Sequence, residues 1–219
     1  MSRYPAPDEL LLDYATGALP EGPALVLALQ CALDPATRRT VGQLRDIGGA
    51  LLEQEDGPAF EESALEQVLA KLDGVAVDSP PVSVPAAAPR GFEWAPAPLV
   101  PYLGTAPRWR KVLGGFERMP IRLAHDTHRV ELLRLEPGHG LPVHHHVGEE
   151  YTIVLQGGFT DSTGNYGVGD FATGPGSQDH EPIADPGPAC IALIVLEKPI
   201  VLTGPWGRWF NPLVKRGWL

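Results

Sequence analysis

From Gly138 to Gly157 the chain reads GHGLPVHHHVGEEYTIVLQG. Side chains alternate along a strand, so His144 and His146 point to one side and His145 to the other. Two imidazoles on one face can share a metal ion. The run YTIVLQG begins a new element directly after Glu150 and can carry that carboxylate back to the pair. A second stretch, GDFATGPGSQDH from Gly169 to His180, places a further imidazole after a tight turn. His144, His146, Glu150 and His180 are therefore the candidate metal ligands. Three imidazoles with one carboxylate form a borderline-soft set that suits Zn²⁺, Fe²⁺, Mn²⁺, Ni²⁺ or Cu²⁺ better than Ca²⁺ or Mg²⁺. Each ring also needs an acceptor on its other nitrogen to fix its tautomer, and the sequence does not name one.

The neighbouring titratable residues have plainer readings. His139 and His145 fit no ligand slot and are expected on the surface. Glu149 stands beside the chosen carboxylate, but the three-residue gap from His146 favours Glu150. His125 and His128 fall in a turn and read as solvated. Cys190 lies in the apolar run CIALIVL, where a buried, inert thiol is the ordinary expectation. With Cys31 it completes a pair of cysteines too far apart for a disulfide framework, which makes a reducing cytoplasm the default.

Short β-type runs surround the histidine stretch: Arg108–Leu113, His128–Leu135, Tyr151–Leu155, Asp170–Thr173 and Cys190–Leu196. Glycine- and proline-rich turns separate them, as in an antiparallel sandwich or barrel. The first 74 residues read differently. Leu10, Leu11, Tyr14 and Ala15 follow Asp8 in a short amphipathic helix ended by Gly17 and Pro20. Ala24 to Leu33 is apolar on nearly every side, which predicts a central helix. Asp34-Pro35 is an N-cap and first-turn pair. It opens a third helix carrying Val41, Leu44, Ile47 and Leu51, ended at Gly57-Pro58. A capping box, Ser63 to Glu66, precedes Leu65, Val68, Leu69 and Leu72, and Gly74 supplies the stop. Between the two textures, residues 75–90 carry prolines at 80, 81, 85 and 89, which forbid helix and ladder alike and give an extended tether.

The 219 residues suffice for two domains, each with its own core. The predicted organisation is α + β: a small four-helix domain (1–74), a linker (75–90) and a β-barrel domain (91–219). A net charge of −10 disfavours a direct duplex-DNA binder, which needs basic surface to displace counterions. No apolar stretch is long enough for a membrane span, and the start, MSRYPAPDEL, lacks the pattern of a secretory signal.

The spacing G-x5-H-x-H-x3-E-x6-G, followed by G-x5-P-x4-H, matches both motifs of the cupins, with all four ligand types present. The resemblance implies a jelly-roll (double-stranded β-helix) barrel with the metal near its open end. Over almost its full length, the chain resembles the ChrR type of anti-sigma factor. The segments that carry this are DELLLDYATGALPE, PAPLVPYLG, PRWRKVLGG, and the block from LLRLEPGHGLPVHHHVGEE through VLQGGF. The resemblance implies that the helices clamp an extracytoplasmic-function (ECF) sigma factor while the cupin senses oxidative stress or a small ligand.

One departure stands out. The family's helical domain carries a zinc site with a His-x3-Cys-x2-Cys run and an upstream histidine. Here Gln30, Asp34 and Thr37 hold those places, with Pro5 or its neighbours upstream, so a single divalent ion, zinc foremost, is expected in the barrel and none in the helices. A rival reading is a metal-dependent dioxygenase or isomerase using open positions on the ion. A third is a binding module without a sigma partner. No catalytic residue is assigned.

Overall fold

Helix α1 (Asp8–Thr16) ends on Gly17, whose φ of 76° places it in the left-handed region that closes a helix. Helix α2 (Glu21–Leu33) starts about one turn earlier than its apolar run, because Pro23 sits in the first turn, where no intrahelical N–H is required. Asp34 caps α3 (Pro35–Leu52), its carboxylate accepting from the Thr37 N–H at 3.0 Å. Helix α4 (Ala64–Asp73) follows Ser63, whose hydroxyl accepts from the Gln67 side chain at 2.9 Å. This computed structural model describes residues 2–57, 61–73, 88–112, 115–124, 126–174, 176–204, 209 and 211–215. Most of the proline tether, Pro58, Gly74, Leu113, His125 and Pro175 fall outside them.

After a 3₁₀ turn at Ala97–Tyr102 the described elements are strands as far as Leu202. The strands are β1 (Arg110–Lys111), β2 (Phe116–Ile121), β3 (Arg129–Leu135), β4 (His144–His145), β5 (Glu150–Gln156) and β6 (Gly158–Thr160). They continue with β7 (Asn165–Gly167), β8 (Phe171–Thr173), β9 (Ile183–Ala184), β10 (Cys190–Leu196) and β11 (Val201–Leu202), followed by α5 (Asn211–Lys215). All pairings among the described residues are antiparallel, in a six-stranded sheet β1-β2-β3-β10-β5-β8, a three-stranded sheet β7-β6-β9 and the pair β11-β4.

Side-chain alternation in the central strands assigns the two faces of the large sheet. Leu133, Leu135, Val154 and Cys190 point into the barrel and pack with Leu141, Phe159, Tyr166 and Ala184. Val130, Leu132, Ile153, Leu155, Leu193 and Val195 point outward into a cluster with Leu25, Val26, Leu27 and Leu29 of α2. Both faces are thus covered, which is why β5 and β10 read as near-continuous apolar runs. The expectation that each half buries its own core is corrected here. The apolar girth of α2 is covered by the sheet, the 3₁₀ turn and α3 together.

Hydrogen bonds fasten the same junction. The α2 N-terminus is held by Asp126, which accepts from the Gly22 N–H at 2.6 Å, and by Glu21, which accepts from Tyr102 and from the Ala124 N–H. The α2 C-terminus is held by Gln30, which is fully buried: its Oε1 accepts from the Ala6 N–H, and its Nε2 donates to the Tyr4 and Gly169 carbonyls.

Toward their far ends the helices lose this cover. Val41 is buried, but Ile47, Leu51 and Leu52 on α3 are exposed, as are Leu65, Val68, Leu69 and Leu72 on α4. The helical spacing correctly foretells these helices. It does not foretell that both apolar stripes stand open.

Candidate metal centre

Two short stretches of backbone build the site. His144 and His180 form an isolated antiparallel bridge, exchanging N–H···O bonds of 3.1 and 2.9 Å, so their side chains leave on the same face. His146, two residues on, shares that face and donates its N–H to the Gly176 carbonyl. The Nε2 of His180 lies 2.9 Å from that of His146 and 3.1 Å from that of His144. Glu150, the first residue of β5, brings Oε2 to 2.8 Å from His146 Nε2, while its Oε1 accepts from the Thr152 hydroxyl. All four side chains are buried.

The outer nitrogens decide whether a cation fits. His144 Nδ1 faces the Pro142 carbonyl at 2.8 Å, and a carbonyl only accepts, so the proton of the neutral ring is on Nδ1 and Nε2 carries a bare lone pair. His180 is set the same way by Asp161, whose Oδ2 lies 3.0 Å from Nδ1. Two lone pairs then face each other beside a third imidazole and a carboxylate. A cation between them turns that repulsion into coordination, so the histidine cluster is compatible with a metal ion. Among the described residues, His146 Nδ1 has no hydrogen-bond partner.

The electrostatics agree. Burial, then the neighbouring His180, pushes the His144 pKa down to about 4, which keeps it a neutral ligand at pH 7. Burial alone would raise Glu150, but the His146 hydrogen bond and the adjacent imidazoles hold it below its ordinary value. Gly174 leaves room for the set: a Cβ there would stand 2.5 Å from Glu150 Oε2 and 2.7 Å from His146 Cδ2.

On the interior side the ligands border a cavity of about 60 Å³ lined also by Arg118, Glu131, Leu133, Leu141 and Val214. Glu131 is bonded to both Arg118, at 3.3 Å, and Arg129, at 2.6 Å. Sequence reasoning passed over these three residues, as it did Asp161 and Gly174. Period-two alternation on β3 was the signal available, since it sends Arg129 and Glu131 to the same face as Leu133.

The other residues singled out by sequence are placed as follows. His139 is exposed, and half-buried His145 points away from the cluster to Asp179 at 3.2 Å. Glu149 faces solvent and accepts from the Tyr151 hydroxyl, whereas Glu150 faces the histidines. His128 corrects an expectation: it is half-buried with its Nδ1 2.6 Å from Asp126, the carboxylate that also holds α2. Cys190 is buried in the barrel, its thiol pushed up to about 12 by burial. Asp34 accepts from both the N–H and hydroxyl of Thr37, and Cys31 is half-buried on α2.

Comparison with known proteins gives the same architecture. Residues 104–198 match the family described as the ChrR cupin-like domain. The anti-sigma-E factor ChrR of Cereibacter sphaeroides is 36% identical over 201 residues, covering 90% of this chain and 91% of that protein. A crystal structure of Rhodobacter sphaeroides SigE in complex with the anti-sigma ChrR superposes with a TM-score of 0.75 at 32% identity. It covers 90% of this chain and 100% of that one. The N-terminal helices and the barrel therefore belong to one known architecture, and this chain is a member of the ChrR family of anti-sigma factors.

Proposed function

We propose that this chain binds and occludes an ECF sigma factor through its helical region, residues 1–74, and that its barrel, residues 91–219, holds one divalent ion on His144, His146, Glu150 and His180. The observation that carries the first part is the full-length likeness to a protein crystallised with its sigma factor. The open apolar stripes of α3 and α4 give such a partner surface to bury. The second part rests on the Nε2 atoms of three rings converging beside the Glu150 carboxylate, two of the rings having tautomers fixed from outside.

Zinc is the ion assigned, because a site of imidazoles and one carboxylate suits its ligand chemistry and leaves room for a further ligand. The ion would supply a Lewis-acid centre with an exchangeable ligand position, through which a reactive oxygen species or a small molecule would be read. The chain's own residues fix the ring orientations and keep bulk water away. No second zinc is assigned to the helices. The positions that would carry it hold Gln30, Asp34 and Thr37, and these are committed to hydrogen bonds that tie α2, α3 and the N-terminal arm (residues 2–7) together.

The test combines metal analysis of the purified full-length chain with capture of an ECF sigma factor from its own cells. One ion per chain, lost in His144→Ala and His180→Ala, and a retained sigma factor are the expected results. A chain that captures no sigma factor under either oxidising or reducing conditions overturns the regulatory reading.

A further inference from the structure

His180 is held on two sides. Its Nε2 faces the other imidazoles, and its Nδ1 donates to Asp161 on the turn between β6 and β7. The Asp161 side chain is only 4% exposed, yet its charge is fully engaged. Oδ2 takes the imidazole, and Oδ1 accepts from the Thr163 N–H, the Thr163 hydroxyl and the Gly164 N–H. The Asp161 N–H closes the turn on the Gly164 carbonyl. One carboxylate therefore sets both the ring of a candidate ligand and the shape of the turn.

The turn in turn seats the N-terminal arm through Tyr4. Thr163 Oγ1 lies 3.0 Å from the Tyr166 hydroxyl, and the Tyr166 ring packs on Tyr4 with centroids 4.7 Å apart. Gly164 is so close to Tyr4 that a Cβ there would stand 2.9 Å from the phenol oxygen. Around Tyr4 the arm docks along the edge of the barrel. The Phe171 N–H donates to the Tyr4 carbonyl at 2.8 Å, and Asp170 accepts from the N–H groups of Arg3 and Tyr4. The Tyr4 carbonyl also accepts from Gln30 of α2, which in turn accepts from the Ala6 N–H. From His180 to α2 the contacts are continuous.

We propose that the β6–β7 turn and Tyr4 couple the metal centre to the helices: an ion fixes His180, His180 fixes Asp161 and its turn, and the turn seats the arm that anchors α2. This rests on the metal reading above and adds the route by which the site reaches the partner-binding half. A coupling of this kind needs an element whose docked and undocked states differ in energy with the ion bound. The arm supplies it, because its contacts with the barrel include Asp170, Phe171, Tyr166 and Gly164. Linkage then runs both ways: whatever zinc adds to arm docking, docking adds to zinc affinity.

The experiment uses the full-length chain, metal-free and loaded with Zn²⁺, and reads backbone amide exchange at Tyr4, Ala6 and Phe171 together with zinc affinity. Zinc is expected to slow exchange at these amides about tenfold in the unmodified chain. Tyr166→Phe removes the hydroxyl facing Thr163 but keeps the ring, and Tyr4→Ala removes the seated side chain. Both are expected to bind one zinc and to lose most of that slowing, with Tyr4→Ala also weakening zinc by the factor lost in exchange. A merely structural tyrosine would change exchange equally with and without zinc, which overturns the coupling. So does one zinc bound to the unmodified chain with no change at the three amides. Absence of zinc binding overturns the metal reading itself and is recognised separately by the lost stoichiometry.

Discussion

Gly174 shows how a site depends on an atom that is absent. A methyl group there would overlap the Glu150 carboxylate and the His146 ring, and neither can retreat, since Glu150 is bonded to His146 and Thr152. Gly174→Ala is expected to weaken zinc binding about ten- to a hundredfold, the range typical of disturbed outer contacts, while far-ultraviolet circular dichroism stays unchanged. An unaltered zinc titration would contradict this geometry. Cys190 gives a second check. Its thiol is buried and stays protonated far above pH 7, so alkylating reagents are expected to modify Cys31 first and to reach Cys190 only on denaturation. Mass spectrometry of the labelled peptides decides it. The contrast between His144–His146 and Gly174 marks what the sequence can show. Alternation is local, so two histidines on one face are legible from their spacing. The nearness of Gly174 to Glu150, or of Asp161 to His180, is set by how distant strands return, and a turn reading DSTG carries no local sign of it.

Among the elements, β5 and β10 were legible because both of their faces are covered, which leaves near-continuous apolar runs. Strand β2 was not: Glu117 and Arg118 interrupt the run and Pro120 lacks an N–H, although its neighbours pair in register with β3. Helix α2 was legible as a central helix, but not as one that packs on the barrel. The sign of that was Gln30, a polar residue in an apolar helix, whose three bonds join the arm and the Gly169 carbonyl to α2. Gln30→Ala leaves buried polar groups unpaired and is expected to cost about 2 kcal/mol in denaturant unfolding. A change within about 0.5 kcal/mol, the range of an ordinary surface substitution, would show that the clasp contributes nothing. On α4 the reverse holds. Leu65 and Leu69 are one turn apart and exposed, so Leu65→Asp with Leu69→Asp should leave the melting temperature unchanged and abolish sigma-factor capture. Unimpaired capture would move the partner surface elsewhere.

The whole molecule is fastened by buried carboxylates, and this gives its stability a direction with pH. Asp126 holds the start of α2, Asp34 caps α3, Asp170 holds the arm and Asp161 holds the turn. Burial would raise each pKa, but the hydrogen bonds each accepts outweigh it and leave all four below the ordinary 3.8. A depressed carboxylate contributes stability that is complete above its unfolded value and is lost as pH falls through its folded value. His144 acts in the same direction from a higher starting point. Its folded value is about 4 against 6.5 for a free imidazole, so between these values the unfolded chain takes up a proton that the folded chain refuses. Stability therefore falls as pH drops from 6.5 towards 4, and zinc steepens the fall because protons compete with the metal for the ring. Below about pH 4 the four aspartates add their own loss, at the starts of α2 and α3, at the arm and at the β6–β7 turn. Thermal unfolding from pH 8 to pH 3 should show a level region above pH 7, a decline through the histidine window and a steeper one below pH 4. His144→Gln should flatten the first decline and leave the second in place. A melting temperature that rises on acidification, or a first decline untouched in His144→Gln, would mean that the cost of burying this ring uncharged is not what sets the acid limb.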